Sequence, residues 1–164
     1  MGALVIVGAI AVVGLAGYTF TASAANAKMT NEKFDTLVMK DAAGNYHLRD
    51  GATVDAITVT PERAIIVEMH EMANNYIIAD EIRGKREMTQ EGLNTLILEL
   101  LTVDKPEDYP HQAHLLDILT IWKQGEFFML ANDHNYLWDA LSGTVGKASG
   151  VKERKDLPAW TIDN

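Results

Sequence analysis

The chain has 164 residues, a length typical of one domain with a real core, and its 23 acidic against 14 basic side chains give a net charge of −9. Such a surplus of negative charge repels nucleic acid and anionic lipid surfaces, which argues against nucleic acid as a partner. The sequence has no cysteine, which excludes disulfides, thiolate metal sites and cysteine nucleophiles.

Residues 1–27 form a hydrophobic leader without a charged side chain. Every residue from 2 to 17 is apolar or glycine, and small residues that fit an A-x-A cleavage site follow at 22–24 and at 25–27. The leader is therefore a signal peptide or a membrane anchor, and its short, glycine-diluted apolar run favours the signal peptide. A secreted protein, or one anchored to the outer face of the cytoplasmic membrane, is expected, with membrane contact only through residues 2–24.

Residues 28–58 have two interpretations. Met29-Thr30-Asn31-Glu32 has the pattern of a helix start, which favours a helix from 30 to about 40 followed by a loop. Residues 34–50 could instead form a hairpin around Asp41-Ala42-Ala43-Gly44-Asn45.

The same helix-start pattern occurs three times, at Thr30, Thr60 and Thr89. Each threonine follows an apolar residue and precedes a glutamate by two positions, so its hydroxyl can accept from the first turn while the carboxylate lies at the positive end of the helix dipole. Pro61 lies where proline is favoured in a helix. Three starts with one chemistry predict a helical architecture.

Four helices are predicted for the domain at 59–164, from apolar residues that recur at helical spacing. They cover residues 61–83, 89–103, 110–123 and 126–141, and Gly84, Gly125 and Gly143 are their predicted stops. Because the links between them are short, neighbouring helices should be antiparallel. The predicted fold is thus all-α, a small antiparallel helical bundle of four to five helices after the N-terminal leader.

His134 is the residue that points most clearly to an interior polar site. On the last predicted helix it lies near the middle of an apolar arc formed by Phe127, Leu130, Ala131, Leu137, Trp138 and Leu141. On the helix at 61–83 the same geometry directs Asp80 inward. Since a buried imidazole and a buried carboxylate both need partners, we expect His134 and Asp80 to approach each other or to share a water. Such a pair would fix helix register, or would handle protons or bind a ligand.

The segment His70-Glu71-Met72-Ala73-Asn74 departs from the zinc-protease pattern H-E-x-x-H at its last residue. Asn74 is a poor substitute for the second imidazole, so no metal is predicted there. His111 and His114 are interpreted as exposed first-turn residues, and the glycines at 143–150 as a turn, since no strand precedes them. No metal and no cofactor are expected. The candidate polar site comprises His134, Asp80, His70, Asn74 and Asp133.

Several segments together resemble a domain-of-unknown-function family of small exported or membrane-anchored proteins of Gram-positive bacilli. They are Val59-Thr60-Pro61-Glu62-Arg63, Met69-His70-Glu71-Met72, Ala79-Asp80-Glu81 with Gly84, Asp133-His134-Asn135-Tyr136-Leu137-Trp138 and Gly143-Thr144-Val145-Gly146-Lys147-Ala148. The resemblance covers residues 59–151 and implies a helical extracytoplasmic domain with no established activity. The chain departs from it at Asn74, where a histidine is expected, and at Arg83, where a tryptophan is expected.

Two functions are compatible with these features. The first is a non-catalytic interaction or structural domain at the bacterial cell surface, with an unknown protein or cell-envelope partner. The alternative is a small-ligand-binding or hydrolytic protein that uses an inter-helix site around His134, Asp80 and His70. The first has no identified partner, and the second has no recognisable nucleophile or oxyanion hole.

Overall fold

The computed structural model describes residues 29–52, 54 and 60–162, which are mostly helical with two small two-stranded sheets. The elements in chain order are α1 (Asn31–Leu37), β1 (Val38–Lys40), β2 (Tyr46–Leu48), α2 (Glu62–Ala73), β3 (Ile77–Ile78), α3 (Gln90–Leu101), α4 (Gln112–Lys123), α5 (Leu130–Ala140) and β4 (Gly150–Val151). Short 3-10 turns lie at Pro106–Asp108 and Arg154–Asp156. The all-α prediction is correct for the helices but lacks the sheets.

The predicted leader lies outside the described residues. Among the helices that the structure does describe, none is both long and apolar enough to cross a membrane.

The first described segment contains both of the elements that its sequence allowed. Thr30 caps α1 by accepting from the amide of Lys33 at 3.2 Å, and the chain becomes extended at Val38. β1 then pairs antiparallel with β2. The Asp41 carboxylate holds the turn between them by accepting from the amide of Asn45 at 2.9 Å. The helix therefore ends at Leu37, short of the predicted residue 40, because the hairpin uses the backbone that follows.

The predicted helix at 61–83 is wrong beyond residue 73. α2 ends at Ala73, and Ile77 and Ile78 pair with β4 as a short antiparallel strand. Ile77 is fully buried, and an apolar side chain at this position is compatible with a strand as well as with a helix. Tertiary pairing decides between the two, which local periodicity cannot foresee.

The three later helices lie close to their predicted ranges. Thr89 caps α3 by accepting from the amide of Gly92 at 3.0 Å, and Gly125, with φ of 85°, separates α4 from the turn that leads into α5. α5 begins at Leu130, four residues later than predicted, and Phe127 is buried in the non-helical link before it. Helix α3 packs on α4 and α2 packs on α5, around fully buried side chains that include Met69, Leu93, Ile97, Leu115, Leu119 and Trp122.

The C-terminal end of α5 is closed by two backbone hydrogen bonds. The amide of Gly143 donates to the carbonyl of Trp138 at 2.8 Å, and the amide of Ser142 donates to that of Asp139 at 2.9 Å. This is the Schellman arrangement, and its left-handed residue is Ser142, with φ of 60°. The predicted stop at Gly143 is therefore one residue too late for the left-handed position. A Cβ at Gly143 would instead lie 2.3 Å from the indole Nε1 of Trp138.

This helix end gives a stability prediction. Ser142→Gly should raise the free energy of unfolding by about 0.5–1 kcal/mol, because glycine adopts the left-handed conformation without the steric cost that serine incurs. Gly143→Ala should lower it, since the added methyl group collides with Trp138. Urea unfolding of both variants measures the difference, and two changes of the same sign would contradict the assignment.

Candidate functional site

His134 lies at the centre of the site. Its side chain, on the inner face of α5, has no exposed surface. Nε2 lies 3.0 Å from Oδ1 of Asn74, at the end of α2, and Nδ1 lies 3.2 Å from Oδ1 of Asn135. Both ring nitrogens thus face side-chain amides, and the predicted burial of the imidazole is correct.

Asn74 connects His134 to the segment that follows β3. Its amide nitrogen lies 3.0 Å from the carbonyl oxygen of Arg83 and 3.1 Å from that of Gly84. These two acceptors fix the orientation of the amide, so its oxygen must face His134. Asn74 is 2 % exposed, and its side chain therefore joins α2, α5 and the 83–84 backbone in the interior.

Asn135 connects the same helix to the segment before β4. Its oxygen accepts from the amide of Ala148 at 2.7 Å, and its nitrogen donates to the carbonyl of Ala148 at 3.0 Å. This paired contact fixes the amide orientation and holds the chain where Ser149 donates to the carbonyl of Ile78 at 2.8 Å. The contact thus helps to place β4 beside β3.

The protonation of His134 follows from these contacts. A neutral ring carries one proton, and the shorter contact to Asn74 favours Nε2 as the donor. Burial lowers the pKa of His134. The contact from Nδ1 to the oxygen of Asn135 opposes that effect, because it becomes a hydrogen bond only when the ring is charged and Nδ1 also carries a proton. The ring is therefore neutral at pH 7.

His70 lies beside His134, with ring centroids 4.5 Å apart and planes inclined by 31°. Its Nδ1 lies 3.4 Å from the amide nitrogen of Asn74, which can only donate, so a neutral His70 carries its proton on Nε2. Nε2 is buried and has no partner among the described residues. Burial, and next the proximity of His134, lower the pKa of His70 to about 4.

A pocket of about 210 Å³ lies next to this pair. Its lining comes from the end of α2, the 81–83 segment and the loop after α5, and includes His70, Asn74, Glu81, Arg83, Trp138 and residues 141–146. The indole Nε1 of Trp138 donates to the carbonyl of Val145 at 2.6 Å, which holds the loop against α5. Gly146 approaches the backbone at Glu81 so closely that a Cβ would lie 2.4 Å from its carbonyl oxygen.

Two predicted site residues have partners other than His134. Asp80 follows β3, is exposed and accepts from the amide of Glu81 at 2.9 Å, so the expected approach to His134 is wrong. The error comes from the helix that was extended past Ala73. Asp133 faces α4, where it accepts from the indole of Trp122 at 2.8 Å. Burial raises the pKa of Asp133, and this hydrogen bond opposes the rise.

Two further histidines, His111 just before α4 and His114 in its first turn, contact Tyr136. The Nδ1 of His111 lies 2.5 Å from the Tyr136 hydroxyl, and the ring of His114 lies 4.1 Å from that of Tyr136. In the described part of the chain, no three His, Cys, Asp or Glu side chains lie close enough together to hold a metal ion.

Comparison with known proteins assigns the chain to a family. The model of DUF6241, a family of unknown function, matches residues 69–159. The chain belongs to DUF6241. The match confirms the resemblance to a domain of unknown function that the sequence motifs indicated, and no curated protein or solved structure matches the chain.

Several residues of the segments that suggested the resemblance lie in the framework of this DUF6241 domain. His134 and Asn135 bind Asn74 and Ala148, and Trp138 holds the loop at Val145. Their roles in this structure are thus hydrogen bonds that join α5 to its neighbours. Neither Asn135 nor the loop at 142–146 is among the predicted site residues. The signal that could have indicated Asn135 is its place within a helix, next to an inward-facing histidine. Asparagine is a weak helix former, so its presence there suggests that its side chain makes a specific hydrogen bond.

Proposed function

We propose that this DUF6241 domain is a non-catalytic interaction or structural domain that works at the bacterial cell surface. The observation that carries the proposal is the sealed environment of His134. Its ring is fully buried, and both nitrogens face asparagines that hold other parts of the chain. A group in this environment stabilises the fold and has no access to a substrate.

The extracytoplasmic location depends on residues 1–27, whose apolar run and A-x-A sites support export. We propose a secreted protein, or one anchored to the outer face of the cytoplasmic membrane, in a Gram-positive bacterium. Membrane contact would involve residues 2–24 only. The short links between helices support an antiparallel order of the bundle.

Exposed apolar side chains support the interaction role. Phe128 is 63 % exposed and Ile162 is 45 % exposed, and large apolar groups of this kind are common where proteins meet. The partner would be a protein or another component of the cell envelope.

Cross-linking in living cells tests this function. A photoreactive residue at position 128 should join the protein to a cell-envelope component, whereas the same residue at the exposed position 63 should not. Fractionation of the cells should place the cross-linked species outside the cytoplasm. Cross-links to cytoplasmic proteins only, or equal labelling from both positions, would contradict the proposal.

The pocket beside His70 favours ligand binding as a second function. Of the three residues in that hypothesis, His70 lines the pocket, whereas His134 and Asp80 do not; Asn74, another predicted site residue, also lines it. A hydrolytic role has weaker support, since the imidazole of His134 is sealed from the solvent.

A further inference from the structure

The pocket beside His70 brings together several hydrogen-bond donors. His70 is one of its lining residues, and the Nε2 of this ring is buried without a partner among the described residues. The neutral ring carries its proton on this atom, since Nδ1 faces the amide nitrogen of Asn74. A buried N–H without an acceptor is costly, so an oxygen atom from a ligand would relieve it.

The loop that forms the opposite wall adds further donors. Within the described chain, the hydroxyl groups of Ser142 and Thr144 make no hydrogen bond, and neither do the backbone amides of residues 144–147. The carbonyl of Val145, by contrast, already accepts from Trp138. The wall therefore has N–H and O–H groups that can donate to a ligand.

A guanidinium group lies at the rim. The side chain of Arg83 is 74 % exposed, and its Nε contacts Oε1 of Glu81 at 2.5 Å. Its two terminal nitrogens have no partner among the described residues, so they can bind a second acceptor. Glu81 is the one carboxylate in the lining of the pocket, and it competes with a ligand for the guanidinium of Arg83.

We propose that this pocket binds a small molecule through an oxyanion group, a carboxylate or a phosphate, held by Arg83, His70 and the 142–146 loop. A guanidinium fork and several N–H and O–H donors suit the oxygens of such a group. The volume of about 210 Å³ is below the roughly 300–1,000 Å³ of drug-sized sites, so the ligand should be small.

This site rests on the second function proposed above, ligand binding beside His70, and names its ligand class; it does not depend on the interaction function. The net charge of −9 slows the approach of an anion from solution, whereas the local donors determine how firmly it is held. Binding should therefore strengthen when Glu81 loses its charge, because Arg83 is then released to the ligand.

Titration of the purified full chain with inorganic phosphate and with acetate tests the site. Backbone amide NMR signals of residues 144–147 should shift and saturate with one anion or both, at millimolar concentrations, against chloride at equal ionic strength. Saturation with phosphate alone would assign phosphate-bearing ligands, and saturation with acetate alone would assign carboxylates. Shifts that match those in chloride would overturn the proposal.

Three variants make the assignment specific. Arg83→Gln should weaken binding about tenfold through the loss of a charge-assisted contact, and Glu81→Gln should tighten it severalfold. Arg63→Gln is the matched control, since Arg63 is exposed and does not line the pocket. Equal affinities for Arg83→Gln and Arg63→Gln would also overturn the proposal, and because both side chains are exposed, neither variant should affect folding.

Discussion

Asn74→Ala should lower the free energy of unfolding by about 3–4 kcal/mol. The change removes the acceptor of His134 Nε2 and the donor to the carbonyls of Arg83 and Gly84. Each lost hydrogen bond costs about 1 kcal/mol, and a buried group left without a partner costs about 1–3 kcal/mol. Since small domains have about 5–15 kcal/mol of stability, this one side chain carries a large fraction of the total.

Urea unfolding measures this effect, and Asn132→Ala is the matched control. Asn132 lies on α5, is exposed and has only a long contact of 3.9 Å to the sulfur of Met129. The control should stay within about 0.5 kcal/mol of the unchanged protein. Equal losses from the two variants would show that the buried asparagine does not hold the segments together.

Acidification should destabilise the protein through His70. Its pKa is about 4 in the folded protein and 6.5 without these surroundings, so between those values the unfolded chain binds more protons. The stability is complete above about pH 6.5 and declines as the pH falls towards 4. A pKa change of this size corresponds to up to about 3 kcal/mol, and we expect about 2 kcal/mol because the ring is partly exposed.

Unfolding free energies at about pH 7.5 and 4.5, for the protein and for His70→Gln, isolate this contribution. Burial raises the pKa of Glu68 and of Asp133, so these two carboxyl groups add stability as the pH falls and act against the histidine. They are present in both proteins and cancel in the comparison. The variant should lose less stability on acidification, and an identical loss would mean that His70 does not titrate as its surroundings predict.

The helices were predictable where local chemistry determines them. The side chains of Thr30 and Thr89 accept hydrogen bonds from the first turns of α1 and α3. Gly125, the predicted stop of α4, adopts the left-handed conformation just after that helix. These signals act within one helical turn, so each residue and its hydrogen-bond partner are neighbours in the sequence. The burial of His134 was predictable for the same reason, because helical spacing alone places it among apolar neighbours.

The segment after α2 shows why the rest was not predictable. Ile77 and Ile78 continue the apolar spacing of α2, yet they pair with Gly150 and Val151, about seventy residues away in the chain. Pairing with that distant strand determines their conformation, and the residues next to them in the sequence do not indicate this pairing. The misplaced helix directed Asp80 inward and led to the wrong partner for His134. The true partner, Asn74, is among the predicted site residues, but the sequence does not indicate that it accepts from His134.

The central claim is that His134 is a neutral, sealed imidazole that donates from Nε2 to Asn74. Long-range proton–nitrogen NMR spectra of its ring, recorded from about pH 5.5 to 8, test this most directly. We expect a neutral ring that carries its proton on Nε2, a slow exchange of this proton with water, and a pKa below the ordinary value. A ring that titrates near its ordinary pKa of about 6.5, with rapid exchange, would contradict it.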